Sequence, residues 1–264
     1  MSTIDPALLA RYDRPLTTGN PVRDLNPITI GLILASIALA GVALPGLLPP
    51  AAACVLYVLV AAAAGAGRRF LSLYAKLFAV VGGMLFALRA VFLDSGAQLL
   101  VLGPFVISSG GVLQAARFSL VVMALCGAVT LFFHLTPMKN LMLALEARGL
   151  SPRITYIVLA SFQSIIDLGR SSRTVMDAQR SRGVETEGSL RVRVKAFVPV
   201  LAPVFLAAMN QTEERAVALD ARAFTSLRTH THLARLRPVP VLEIVLAAVC
   251  ALLALAVLVG RILL

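Results

Sequence analysis

VLEIVLAAVCALLALAVLVGRILL, residues 241–264, is apolar almost without interruption. An α-helix needs about 20 such residues to cross a bilayer, because each adds about 1.5 Å to a path of about 30 Å. This stretch predicts a membrane span, and the composition around it agrees. Of the 264 residues, 59% are hydrophobic and only 14% charged, with no tryptophan, which is too apolar for a soluble globule of this length.

Working back from that run, four more apolar stretches predict spans. The first, about 28–44, is opened by Asn26-Pro27, where asparagine can cap free amides and proline is tolerated at the first helical position, and is closed by Pro45. The second, 51–65, lies between Pro49-Pro50 and Arg68-Arg69, the third covers about 73–93, and the fourth about 112–135. Between Asp94 and Gly111 the chain turns glycine-rich and short-patterned, which reads as a re-entrant or interfacial excursion centred on 99–107. The polar stretch ahead of Ile28, with Arg11, Arg14 and Arg23, is too long for a secretory signal peptide, so the chain reads as a mature membrane protein from its first residue. The expected fold class is an all-α integral membrane protein with about five transmembrane helices and a further domain of long amphipathic helices. It divides into 1–135, 136–237 and 238–264.

A formal charge of +11 would ordinarily raise nucleic-acid binding. The charge is concentrated, however: residues 136–237 hold 15 Lys and Arg against 8 Asp and Glu, a net +7. Positive charge is retained on the cytoplasmic side of membranes. The N-terminus, the Arg68/Arg69/Lys76 turn and the 136–237 segment alternate with the uncharged Pro45–Pro50 loop and the Asp94 loop. This predicts that the N-terminus and the basic segment are cytoplasmic, with Leu264 on the far side.

Signatures of catalysis are missing. There is no Gly-x-x-x-x-Gly-Lys-Ser/Thr phosphate loop, no His-Glu-x-x-His zinc helix and no Gly-x-Ser-x-Gly elbow. Gly65-Ala-Gly67 lacks the third glycine of a nucleotide-binding turn and reads as a loop. Cys54, Cys126 and Cys250 sit in or beside apolar runs without Cys-x-x-Cys spacing and read as small buried hydrophobes. His230-Thr-His232 lacks a third ligand nearby and reads as a solvated loop pair; His134 closes the fourth span as an interfacial side chain. Arg89 and Arg117 stand toward the outer ends of their spans, where snorkelling explains them, with Asp94 as a possible partner for Arg89. No catalytic residue, metal site or resident cofactor is expected.

The basic segment carries a repeat. Ala178-Gln-Arg-Ser-Arg182-Gly183 and Ala218-Leu-Asp-Ala-Arg222-Ala223 each put an arginine four residues after an alanine, on the same helix face, followed by a very small residue. From Ile165 to Gln179 the apolar or small positions 165, 168, 169, 172, 175 and 176 recur at helical spacing, with Asp167, Arg170, Arg173, Asp177 and Arg180 opposite, and Gly183 ends the helix. A second helix begins near Leu190, should bend or break at Pro199 and Pro203, and continues with Phe205, Met209, Thr212, Ala216 and Leu219 on one side to about Ala223. Basic amphipathic helices often lie flat on anionic lipid, but Glu185, Glu187, Glu213 and Glu214 beside the motifs would be repelled there.

Taken together, Leu25-Asn-Pro27 before the first span, Ala178–Gly183, Phe197-Val-Pro-Val-Leu-Ala-Pro203 and Ala218–Phe224 resemble the T component of energy-coupling factor transporters, over nearly the full chain. The resemblance implies a prokaryotic plasma-membrane coupling subunit whose two cytoplasmic coupling helices end in Ala-Arg-Gly-like triplets. Here these are Ser181-Arg182-Gly183 and Ala221-Arg222-Ala223, with Ala178 and Ala218 one turn earlier. It implies as partners two ATPase subunits, which bind the ATP, and a small membrane S component that captures a vitamin or transition-metal ion; membrane lipid surrounds the chain, and nucleic acid has no part. Two departures stand out: Ser181 replaces the usual alanine, and Ala223 replaces glycine where a left-handed backbone is expected. A literal Ala147-Arg148-Gly149 lies outside the family's surrounding pattern and reads as a chance helix end. The alternatives are a conventional ABC permease, which needs polar mid-membrane residues, and a membrane-anchored basic scaffold for lipid or nucleic acid, whose binding would fall steeply with salt.

Overall fold

A computed structural model describes residues 19–92, 98–102, 105–184, 189–224 and 236–263. In chain order these form α1 (Pro27–Ala43), α2 (Leu48–Ala63), α3 (Gly67–Leu77), a π-helical turn (Phe78–Gly82), α4 (Gly83–Phe92), a hairpin of β1 (Gln98–Leu102) and β2 (Phe105–Ser108), α5 (Ser109–Leu135), α6 (Met138–Glu146), α7 (Pro152–Ser181), α8 (Leu190–Ala221) and α9 (Val241–Leu263). The protein is an all-α membrane protein to which the short antiparallel hairpin is the one non-helical addition among the described residues. That hairpin occupies the segment read as an interfacial excursion. Asp94, His230, His232, Glu185 and Glu187 lie outside the described residues, as do Arg11 and Arg14.

The chain divides into two compact units, 1–147 with 233–264, and 148–232. The membrane unit contains the five apolar helical segments expected from sequence. Three are long and apolar enough to cross a membrane: Gly67–Phe92, Gly110–Leu135 and Val241–Arg261. α1 and α2, at 17 and 16 residues, reach about 25 Å, the lower limit for a crossing. Asn26 caps α1 as its sequence predicts, its Oδ1 accepting from the Ile28 amide at 3.0 Å. One boundary is corrected: the third span starts at Gly67, so Arg68 and Arg69 lie in its first turn and not in a loop, while Gly65, at φ +69°, makes the bend.

Helices in lipid gain little from hydrophobicity and associate through close packing, so small residues mark the tightest approaches. Gly41 of α1 faces the Pro50 backbone, where a Cβ would lie 3.5 Å from its Cα. Gly127 of α5 lies under the rings of Tyr57 and Tyr74, both buried, and the Tyr74 hydroxyl donates to the Met123 carbonyl at 2.9 Å. Phe70 stacks on Tyr74 with centroids 5.2 Å apart. At the π turn Ser119 Oγ donates to the Gly82 carbonyl at 2.8 Å, which ties α5 to the end of that turn. Cys54 is buried and Cys126 and Cys250 half-buried, all free thiols.

α1 and α9 run parallel. The Asn26 amide donates to Glu243 Oε2 at 3.4 Å where both helices begin, and Arg261 donates to the Val42 and Ala43 carbonyls at 3.0 and 2.9 Å where both end. Parallel first and last helices are what an odd number of alternating spans requires.

The second unit consists of α7 and α8, antiparallel where they touch. Tyr156 packs on Phe224 with centroids 5.5 Å apart, and Arg215 binds Asp167 Oδ2 at 2.9 Å and Ser164 Oγ at 3.1 Å. Asp167 is further held by Gln163 at 3.0 Å. Two readings left open by the sequence are narrowed here. Of the bend or break expected at Pro199 and Pro203, the break does not occur, because both lie within one continuous helix. The apolar period did not say which face packs on the neighbouring helix: Asp167 turns inward to Arg215, whereas Ile165 and Leu168 of α7 and Phe205 and Met209 of α8 are exposed. The inward stripe of α8 is Val200, Val204, Ala208, Gln211, Arg215 and Leu219. An apolar period marks a helix face but does not distinguish packing on a neighbouring helix from facing outward, and here an ion pair holds the inner one. Replacing Asp167 by Ala should therefore loosen the pair by about 1 to 2 kcal/mol, since a charged hydrogen-bonding partner leaves Arg215 unmatched in a half-buried position. Faster amide exchange in α8 would report it; unchanged exchange would refute it.

Candidate functional site: two matched helix ends

α7 and α8 end in the same backbone geometry. Arg182 caps α7 at φ −88°, ψ 6°, and Arg222 caps α8 at φ −89°, ψ 4°. The residue after each enters the left-handed region: Gly183 at φ +87° and Ala223 at φ +53°. In the first, the Gly183 amide donates to the Arg180 carbonyl at 2.9 Å and Val184 to Gln179 at 3.1 Å. In the second, Ala223 donates to Asp220 at 2.9 Å and Phe224 to Leu219 at 3.1 Å. Both are Schellman ends, which satisfy carbonyls that a helix otherwise leaves open.

The departure at Ala223 thus takes a definite form. The exit after Arg222 is the same as after Arg182, and Ala223 is the one non-glycine residue with positive φ among those described. A side chain in that region costs about 1 kcal/mol. Ala223→Gly is expected to stabilise the end of α8 by about that amount, slowing exchange of the Phe224 amide; Gly183→Ala should do the reverse at Val184. No change in either would mean that the left-handed turn carries no strain.

Ala178, Ser181, Arg182, Gly183, Ala218, Ala221, Arg222 and Ala223 are all exposed. Ser181 turns its hydroxyl back to the Asp177 carbonyl at 3.1 Å, so it adds one oxygen to the helix end without presenting its donor outward. Arg180 and Asp177 form an exposed ion pair at 3.7 Å. The Arg182 and Arg222 side chains have no hydrogen bond or ion pair with any described residue, and a Cβ on Gly183 would meet open space. Both guanidinium groups are therefore available to an external acceptor.

Phe224 touches Tyr156 near the start of α7, whereas Arg182 lies at its end, 26 residues on. At 1.5 Å per residue the two arginine ends stand about 40 Å apart along α7. Sequence reasoning missed this spacing and the Asp167–Arg215 clamp that sets it, because nothing local indicates which residue of α8 meets which of α7. Ala147-Arg148-Gly149 also ends a helix, α6, with Gly149 at φ +105°, but its cap is Ala147 and the arginine falls one position later. Among the described residues no group of three or more His, Cys, Asp or Glu could hold a metal ion.

A multi-pass α-helical membrane protein with two matched, exposed arginine helix ends is the class these features define. The comparisons with known proteins agree. The family model CbiQ, described as "Cobalt transport protein", matches residues 18–233. Proteins named "Energy-coupling factor transporter transmembrane protein EcfT" from Limosilactobacillus fermentum and Bacillus subtilis are each 31% identical, over 54% and 53% of this chain and 57% and 56% of their own length. A "Putative ABC transporter ATP-binding protein" from Bifidobacterium longum is 31% identical over 52% of this chain and 19% of its own. The chain spans little more than half the length of the first two. It belongs to the CbiQ family of energy-coupling factor T components.

Proposed function

We propose that this subunit couples ATP hydrolysis by two partner ATPases to a small membrane S component, for uptake of a vitamin or a transition-metal ion. The observation that carries the reading is the pair of matched Schellman ends with unpartnered arginines. A planar guanidinium with five fixed donors suits carboxylates and backbone carbonyls in a groove, and it stays charged at every working pH. Small residues on either side let the helix end enter such a groove closely. The relative from Bifidobacterium longum supports this: a stretch like this chain occurs within a protein named for ATP binding. In this reading the N-terminus and the α7–α8 unit are cytoplasmic. Closure of the two ATPases moves the two helix ends, and the exposed apolar residues of α7 and α8, such as Ile165, Phe205 and Met209, meet the S component.

Affinity isolation from native membranes in mild detergent tests the proposal. Two ATP-binding subunits and one small hydrophobic protein are expected, and their recovery should change little with salt. Recovery of nucleic acid, with binding that collapses at high salt, would refute it.

A further inference from the structure

Where α1 ends, α4, α5 and α9 each bring an arginine to one open cavity of about 630 Å³. Arg89 stands in the last turn of α4, Arg117 near the start of α5 and Arg261 in the last turn of α9. Three cations at one end of a helix bundle repel one another, and a counter-charge or acceptor relieves that repulsion. Two of them find part of one: Arg117 donates to the Leu44 carbonyl at 3.3 Å, and Arg261 to those of Val42 and Ala43, the open carbonyls at the end of α1. The Arg89 side chain makes no hydrogen bond to a described residue; its guanidinium lies 4.1 Å from the centre of the Phe118 ring. Stacking of that kind holds the plane while leaving the N–H edges directed outward. Most donors of the three groups are therefore unused by described residues.

Acidic side chains of the membrane helices do not match this charge. Between residues 27 and 135 the one side-chain carboxylate is Asp94, and in 241–264 it is Glu243, which binds Asn26 at the opposite end of α9. Even with Asp94 alongside, three positive charges face one negative. The cavity wall is otherwise largely apolar, with Val121 and Leu258 beside the arginines.

We infer that this cavity binds the phosphodiester headgroup of an anionic phospholipid, with Arg89, Arg117 and Arg261 on the phosphate and the acyl chains along the apolar wall. Phosphate is the group whose oxygens a cluster of guanidinium forks satisfies best, and basic pockets between membrane helices serve this purpose. The apolar lining favours a lipid over free phosphate, which would leave that wall without a partner.

The full-length protein, delipidated in a neutral detergent, tests this by native mass spectrometry against phosphatidylglycerol, phosphatidylcholine and inorganic phosphate. One tightly retained phosphatidylglycerol per chain is expected, with phosphatidylcholine bound at least tenfold more weakly. Arg89→Gln, which leaves both capping arginines in place and so keeps the fold, should weaken retention about fivefold, and R89Q/R117Q/R261Q about a hundredfold. Replacing Arg23, Arg68 and Arg69, the basic group at the other end of the bundle, should leave this retained lipid in place. Equal retention of the two lipids, no effect of Arg89→Gln, or loss caused by the Arg23/Arg68/Arg69 set would each overturn the assignment. Displacement of the lipid by millimolar phosphate would overturn the choice of lipid over the free anion.

Discussion

Membranes carrying Arg182→Glu together with Arg222→Glu are expected to yield the folded, inserted chain stripped of the ATPases proposed as its partners. Both side chains are exposed and unpartnered among described residues, so reversing their charge removes no internal contact. In a groove built for a guanidinium the same change replaces five donors by an acceptor-only group and sets like charges against each other. Truncating one member of a buried hydrogen-bonded charge pair costs about 2 to 5 kcal/mol, and reversal costs more. The geometry also predicts how the single variants behave. Ends about 40 Å apart cannot share one groove, so each needs its own partner, and each single reversal leaves the other anchor engaged. Either variant alone should retain a reduced amount of ATPase, and the double variant almost none. Retention of both ATPases by the double variant, in isolations normalised to inserted protein, would refute the assignment of these ends. Arg→Lys at both positions separates charge from shape: a requirement for the planar fork predicts a clear loss, whereas simple attraction to acidic surface predicts little.

How much of this was legible before the structure depends on the range of the interaction concerned. Local signals were reliable. Asn26-Pro27 sets the start of α1, and the residues after Arg182 and Arg222 set where α7 and α8 end, because caps depend on a few consecutive dihedral angles. The apolar runs mark the five apolar helical segments, three of them long enough to cross a membrane, because hydropathy is summed over consecutive residues. Non-local facts were not legible. Asp167 looked like a surface residue until Arg215, 48 positions away, was found against it. Phe205 and Met209 marked one side of a helix, but their spacing did not say that this side is exposed in the chain by itself. The arginines at 89, 117 and 261 read singly as snorkelling side chains, and only the fold brings them to one cavity. The hairpin at 98–108 also escaped, since its glycines signal a departure from helix without indicating what replaces it.

Gly127 shows the same limit and carries the largest expected effect on the fold itself. Nothing in the sequence distinguishes it from Gly169, another glycine within a helix. In the structure a Cβ at Gly127 would lie 2.8 Å from the Tyr74 hydroxyl and 2.9 Å from Tyr57 Cδ2, whereas one at Gly169 would meet open space. Neither ring can step aside readily, since Tyr57 is fully enclosed and Tyr74 is held by Met123 and Phe70. Overpacking of this kind costs about 1 to 3 kcal/mol for one methyl group and more for a larger side chain, so Gly127→Ala should lower the thermal midpoint and Gly127→Leu should abolish folded protein in detergent. Gly169→Ala should be neutral or stabilising by up to about 1 kcal/mol, because the helical penalty of glycine is relieved without a clash. Tyr74→Phe removes the nearest atom of the three, so its combination with Gly127→Ala should be less damaging than the sum of the two changes. Additive losses, or equal tolerance at 127 and 169, would mean that α5 does not pack on the two tyrosines at this point.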